Sequence, residues 1–257
     1  MFDTHAHLTD PQLEEIRDDL LLRATEAGIV GMIAVATDTA SSLACLKMAE
    51  QHKQVFASVG IHPNDCHEAS LQDWSIIEQL ANQSNVVAIG ETGLDRHWDT
   101  CPIELQNDWF DRHISLSFEL NKPLIVHMRD CEEDLLQALQ RNQRDGQIIG
   151  IMHSFTGNWE TAETCLEMGM YISFAGMVTF KNAANLREIA GRIPSNRLLI
   201  ETDAPYLTPH PHRGQRPNEP AMVRFTAECL AQCRGETLEE LIQNTTLNAQ
   251  NVFRLTD

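Results

Sequence analysis

Short β-rich apolar runs alternate with longer amphipathic stretches along the whole chain, the pattern of βα units laid on a parallel sheet. Eight such runs are legible: Met1–His5, Val30–Ala36, Val55–Gly60, Val86–Glu91, Pro123–His127, Ile148–His153, Met170–Ala175 and Arg197–Asp203. Between them, Pro11–Ala27 and Ser41–His52 read as helices, the second with Leu43, Leu46 and Ala49 near helical spacing. A further helix is expected over Ile103–Leu120, opened by Pro102 and closed by Asn121-Lys122-Pro123. The tail from Asn218 onward reads as two helices broken near Gly235. Eight strand-helix units are the number that closes a (β/α)₈ barrel, and the main alternative is a doubly wound open sheet.

Length agrees with this reading, since 257 residues is close to the usual size of one TIM barrel and no linker or low-complexity block divides the chain. Residues 1–257 are therefore expected to form a single domain. Hydrophobic residues make up 42% and charged residues 22%, which leaves no case for extensive disorder. The start, MFDTHAHLTDPQLEE, lacks the basic and apolar regions of a secretory signal, and no apolar run approaches the roughly 18 residues of a membrane span. A cytoplasmic location away from membranes is the expectation.

Seven cysteines without a CxxC pair argue against both a disulfide framework and a thiolate zinc site. Cys229 and Cys233, four apart on a helical stretch, read as a shared core face. The net charge of −18 disfavours a protein that slides along many phosphates. It leaves room for action on a phosphate chain at one small site where metals neutralise the charge.

The chemistry lies where apolar runs give out. His5 and His7 stand two apart on a strand, so both side chains project from one face and can converge on one ion. Glu91 ends the fourth run, His127 the fifth, His153 the sixth and Asp203 the eighth. In a closed barrel these ends meet at one rim, the face that carries TIM-barrel active sites. Packing alone would favour aliphatic residues there, so six nitrogen and oxygen donors from five strands point to metal. Imidazole with carboxylate suits zinc, manganese, iron or magnesium. Six ligands exceed the need of one catalytic ion, which favours two divalent ions sharing a carboxylate, with Glu91 as the natural bridge.

These positions resemble the TatD family of metal-dependent deoxyribonucleases, within the amidohydrolase-like barrels. The resemblance spans nearly the whole chain. It rests on Asp3-Thr4-His5-Ala6-His7-Leu8, Gly60-Ile61-His62-Pro63, Gly90-Glu91-Thr92-Gly93-Leu94-Asp95, His127-Met128-Arg129-Asp130, His153-Ser154-Phe155-Thr156-Gly157 and Glu201-Thr202-Asp203-Ala204-Pro205-Tyr206-Leu207, with Arg213-Gly214 and Asn218-Glu219-Pro220 beyond. It implies that His5, His7, Glu91 and Asp203 hold one ion, and Glu91, His127 and His153 the other. His97-Trp98 and Ser154 depart from common family choices and bear on substrate preference rather than metal chemistry.

The activity so implied is exonuclease trimming of single-stranded DNA from a 3′ end, by a water activated between two metals. Asp203 is the candidate to orient that water and take its proton, with Glu91 as its partner in catalysis. His62, Arg129 and Arg213 are candidate phosphate contacts, the arginines through bidentate pairing. Glu201 shares a face with Asp203 and is expected behind the ligands, supporting them. His97, Trp98, Tyr206, His210 and His212 fall in rim loops, where an aromatic can stack on a terminal base, although solvated loop positions explain most of them more simply. Two other readings stand beside this one: hydrolysis of an amide, a lactone or an aminoacyl ester on the same barrel, and a barrel that binds metal and a partner without catalysis.

Overall fold

The computed structural model describes residues 1–255. Each of the eight apolar runs is a strand: β1 (Phe2–Ala6), β2 (Gly31–Ala34), β3 (Val55–Val59), β4 (Val86–Asp95), β5 (Leu124–Arg129), β6 (Gly150–Met152), β7 (Tyr171–Phe174) and β8 (Leu198–Ile200). All pair in parallel with their chain neighbours, in the order β1 to β8. The ring is completed just past β8, where Ala6 bridges Ala204. There the His7 amide donates to the Ala204 carbonyl at 2.7 Å and the Asp203 amide to the His5 carbonyl at 2.9 Å. Asp3 ties the same seam, its carboxylate accepting from the Thr202 amide at 2.9 Å and the Thr202 hydroxyl at 2.6 Å. The (β/α)₈ barrel is therefore the fold, and the open doubly wound sheet is excluded.

Helices α1 (Arg17–Glu26), α2 (Thr39–Gln51), α3 (Leu71–Ala81), α4 (Ile103–Leu120), α5 (Glu132–Asn142), α6 (Trp159–Glu167) and α7 (Ala184–Arg192) alternate with the strands, and α8 (Val223–Arg234) and α9 (Leu238–Phe253) follow β8. None of the described helices is long and apolar enough to cross a membrane. The Ile103–Leu120 helix has the bounds its flanking residues predict, and Asn121 ends it in the left-handed region at φ 54°. Gly235 does the same between α8 and α9 at φ 68°. The Pro11–Ala27 stretch divides instead into a 3₁₀ turn, Pro11–Ile16, and α1, because Ile16 leaves helical geometry at φ −113°, ψ 5°. Cys229 and Cys233 are half-buried against the core, as their spacing suggests.

Two apolar cores follow from strands buried on both faces. The larger joins helices α1 to α9 to one face of the strands, with Met32, Ala34, Val126, Met152 and Ile200 among its members. The smaller gathers Phe2, Ile33, Val35, Val87, Ile125, Ile151 and Leu199 among others from the strands and, among the described helices, takes Ala249, Val252 and Phe253 from α9. It is the barrel interior, stoppered by α9. Strand periodicity then decides the site: two residues after interior Ile125 comes His127, two after Ile151 comes His153, and two after Leu199 comes Glu201.

β4 corrects one expected boundary. It runs to Asp95 rather than ending at Glu91, pairing Gly93 with His127 and Asp95 with Arg129 after a register shift between Ile89 and Thr92. Gly90 and Gly93 make this possible. Both have φ of +139°, and a Cβ at Gly90 would sit 2.5 Å from the Ile125 carbonyl oxygen.

Candidate metal centre

The rim at the strand C-termini opens into a cavity of about 1050 Å³ lined by His7, His62, Glu91, Asp95, His127, His153 and Asp203, with Trp98, Arg129 and Tyr206 nearer its mouth. At its floor all six expected donors come together. His5 Nε2 lies 3.2 Å from His7 Nε2, 3.3 Å from Glu91 Oε2 and 3.7 Å from Asp203 Oδ1. His7 Nε2 is 3.5 Å from Glu91 Oε2 and 3.4 Å from Asp203 Oδ1. On the other side of the Glu91 carboxylate, Oε1 is 2.9 Å from His153 Nε2 and 3.0 Å from His127 Nδ1. Glu91 therefore stands between two groups of donors, as its place at the end of an apolar run suggests.

The outer partner of each imidazole fixes what its inner nitrogen offers. His7 Nδ1 is 3.2 Å from the Val35 carbonyl, which only accepts, so the neutral ring carries its proton there and turns a lone pair on Nε2 inward. His153 Nδ1 faces Glu201 Oε1 at 3.2 Å, an oxygen that also accepts from the Ser154 amide at 2.7 Å. His127 reverses the ring, with Nε2 on Asp95 Oδ2 at 3.0 Å and Nδ1 toward Glu91. Each of the three rings thus meets acceptor oxygens at both nitrogens, so each must carry a second proton or turn its inner lone pair to a cation. The spacings suit cations: ligands about 2.1 Å from an ion in tetrahedral array lie about 3.4 Å apart. Groups of donors capable of holding a metal are His5, His7 and Asp203, and His5, Glu91 and His153. All are nitrogen or oxygen, which fits zinc, manganese or magnesium better than a soft ion.

Electrostatics expresses the same demand. Burial alone would raise the Glu91 carboxyl, but the imidazoles of His153, His5 and His62 outweigh it and hold it well below the usual carboxylate range. Asp203 is also lowered, its burial overcome by His7 and His5. Burial disfavours charge on His153 and His7, yet Glu91 and Glu201 raise the first well above the ordinary histidine value, and Asp203 with Glu91 raises the second. His5, fully buried beside His153, is lowered.

A third group, His62 with Glu91 and His127, has metal-like spacing. Its tautomer argues otherwise. His62 Nδ1 accepts from the Asn64 amide at 3.1 Å, which leaves the proton of the neutral ring on Nε2, 3.6 Å from Glu91 Oε1. Burial, reinforced by His127, lowers His62 to about 3, so it is a neutral donor facing the cavity.

Of the remaining expected residues, Glu201 lies fully buried behind His153, in the supporting place its spacing predicts. Arg129 reaches the cavity wall, its guanidinium 5.6 Å from the centre of the exposed Trp98 ring. Tyr206 also lines the cavity and donates to Asp10 at 2.8 Å. Arg213 is not brought in: it stacks 3.6 Å over Phe180 outside the cavity lining, because its loop turns away past Pro209. His210 and His212 are likewise off the lining, His212 packing on Phe225. Asp95 is the residue that sequence reasoning passed over. Its signal was available, since Glu91 and Asp95 are four apart and share a strand face once the strand is known to continue.

A parallel barrel with imidazoles and carboxylates converging at its strand C-termini defines a metal-dependent hydrolase, and comparison with known proteins agrees. The family described as TatD related DNase matches residues 2–254, and the chain belongs to that family. It is 41% identical over 255 residues to the uncharacterized metal-dependent hydrolase YabD of Bacillus subtilis, covering 99% of each chain. It is 36% identical over 259 residues to the 3′-5′ ssDNA/RNA exonuclease TatD of Salmonella typhimurium, again covering 99% of each. The crystal structure of YJJV, a TatD homologue from Escherichia coli, superposes with a TM-score of 0.93 at 28% identity, covering 100% of this chain and 98% of that one.

Proposed function

We propose that this protein removes nucleotides from the 3′ end of single-stranded DNA, with two divalent ions held on either side of Glu91. The observation that carries the reading is the Glu91 carboxylate itself, whose Oε2 faces His5 and His7 while Oε1 faces His127 and His153. His5, His7, Glu91 and Asp203 would hold one ion, and Glu91, His127 and His153 the other. Such ions would supply Lewis-acid polarisation of phosphoryl oxygens and would bring the pKa of water toward neutrality. The exonuclease name of the Salmonella relative supports the choice of bond.

The chain's own groups divide the remaining work. Asp203, ionised and only partly buried at the cavity floor, accepts the proton of the attacking water as oxygen bonds to phosphorus and the ester to the preceding nucleotide breaks, the freed 3′ oxygen taking a proton from solvent. His62, with its proton on Nε2, donates to a non-bridging phosphate oxygen. Arg129 offers a paired contact at the mouth, and Trp98, 53% exposed beside it, offers a face for the terminal base.

The test measures metal content and release of mononucleotides from end-labelled single-stranded DNA, for wild type and Glu91→Ala. Metal-dependent release lost in the variant supports the assignment. Metal bound without hydrolysis overturns it, and a panel of aminoacyl ester, lactone and amide substrates then identifies the bond. Asp203→Asn is expected to abolish turnover while circular dichroism and the melting temperature measured without metal stay near wild type.

A further inference from the structure

Asp95 ends β4 almost wholly buried, with every oxygen of its carboxylate occupied. Oδ1 accepts from the backbone amides of His97 at 2.8 Å and Trp98 at 3.1 Å. Oδ2 accepts from His127 Nε2 at 3.0 Å and Asn64 Nδ2 at 3.2 Å. Gln106, also buried, grips its backbone from both sides: the Asp95 amide donates to Oε1 at 2.8 Å, and Nε2 donates to the Asp95 carbonyl at 2.9 Å. The carboxylate is thus held rigidly between a metal-centre imidazole and the rim segment that carries Trp98.

We propose that Asp95 is a positioning residue that sets the tautomer of His127 and holds the Trp98 segment in register with the second ion's site. The inference rests on the proposed role of His127 as a ligand of that ion. Ionised carboxylates only accept, and His127 has one on each side at 3.0 Å, Asp95 on Nε2 and Glu91 on Nδ1; with an ion on the Glu91 side, the single proton of neutral His127 would be kept on Nε2 by Asp95 and Nδ1 would present its lone pair to that ion. The same carboxylate fixes two successive amides of the segment that grips substrate. One side chain therefore aligns the base-stacking surface with the ligand beneath it.

An amide in place of the carboxylate inverts this logic. In Asp95→Asn, the Oδ1 atom still serves the His97 and Trp98 amides, while the NH₂ group faces His127 Nε2. Asn64 can turn its own amide to accept, and the Thr100 hydroxyl, 3.2 Å from Asn64 Oδ1, can reverse its donation, so the network closes without unfolding. His127 then favours a proton on Nδ1, pointing a hydrogen where the ion requires a lone pair.

The experiment combines two measurements on the whole chain. Long-range ¹H–¹⁵N correlation of imidazole-labelled, zinc-loaded protein reads which nitrogen of neutral His127 keeps its proton. Manganese titration then counts ions and their affinities. Wild type is expected to hold the Nε2–H form and two ions. Asp95→Asn is expected to hold the Nδ1–H form, bind the first ion normally, and bind the second about 10- to 100-fold more weakly. Trp98→Ala should raise KM on single-stranded DNA without altering either ion. An Nδ1–H tautomer in wild type overturns the proposal whether or not the variant folds, as does undiminished binding of both ions by Asp95→Asn. Should tautomer and ion loss follow expectation while wild type leaves DNA intact, the positioning role stands and the nuclease reading fails.

Discussion

A neutral imidazole has one proton to place, and in this barrel the outer neighbour of each histidine decides where. With ions at the centre, Val35, Glu201 and Asp95 would keep the protons of His7, His153 and His127 outward and leave their lone pairs inward, whereas the Asn64 amide leaves His62 a donor. His113 shows the same rule away from the centre. Its Nδ1 faces the Trp109 carbonyl at 2.7 Å and its Nε2 accepts from the Ile61 amide at 3.0 Å, so α4 holds the loop that carries His62. Burial lowers His113 from 6.5 to about 4. The unfolded chain therefore binds more protons between these values, and stability from this residue, full above pH 6.5, falls as pH drops toward 4. Denaturation at pH 7 and 5 should show wild type losing on the order of 2 kcal/mol more than His113→Gln, whose amide meets both partners without titrating. Equal pH dependence of the two would remove His113 as the cause.

At the scale of elements, β4 differs from its neighbours because it must carry Glu91 and Asp95 past the height at which β6 and β8 have ended. Gly93 allows it. A Cβ there would overlap the His127 carbonyl oxygen in a backbone region that side chains avoid. Gly93→Ala should cost roughly 1–3 kcal/mol and weaken metal binding together, because the strain falls on a ligand-bearing strand. Helix α9 provides the contrast at the opposite mouth. Thr237 and Glu240 form its capping box, with the Glu240 amide donating to Thr237 Oγ1 at 3.2 Å and the Thr237 amide to Glu240 Oε2 at 3.0 Å. Thr237→Ala should cost about 1 kcal/mol in urea denaturation and leave metal affinity unchanged.

Across the whole molecule, 37 acidic against 19 basic residues leave little surface that would hold a long polyanion. If the protein grips one DNA end at the cavity, the dependence of binding on salt should be shallow. A plot in which log K falls by many units per log unit of salt would contradict that picture. The same concentration of negative charge at the floor makes the fold respond to ions. Chelation should lower the melting temperature, and metal at about 100 times its Kd should restore about 2.7 kcal/mol per site. Glu91→Ala should lose most of that response, since both donor groups share this carboxylate.

The linear chain determined the barrel, because eight apolar runs separated by helical stretches have few other ways to bury their faces. It also determined the six donors, because strand periodicity and position at the ends of those runs place His5, His7, Glu91, His127, His153 and Asp203 on one rim. Tertiary structure decided the rest. Asp95 joins the centre only because β4 continues past two glycines, and Arg213 leaves it only because the chain after β8 carries it onto Phe180. Which nitrogen of each histidine holds the proton depends on backbone carbonyls and carboxylates far away in sequence, such as Val35 for His7 and Glu201 for His153. Periodicity records which face a side chain takes, but hydrogen-bond partners across a barrel are set by the register between strands, which no single strand encodes.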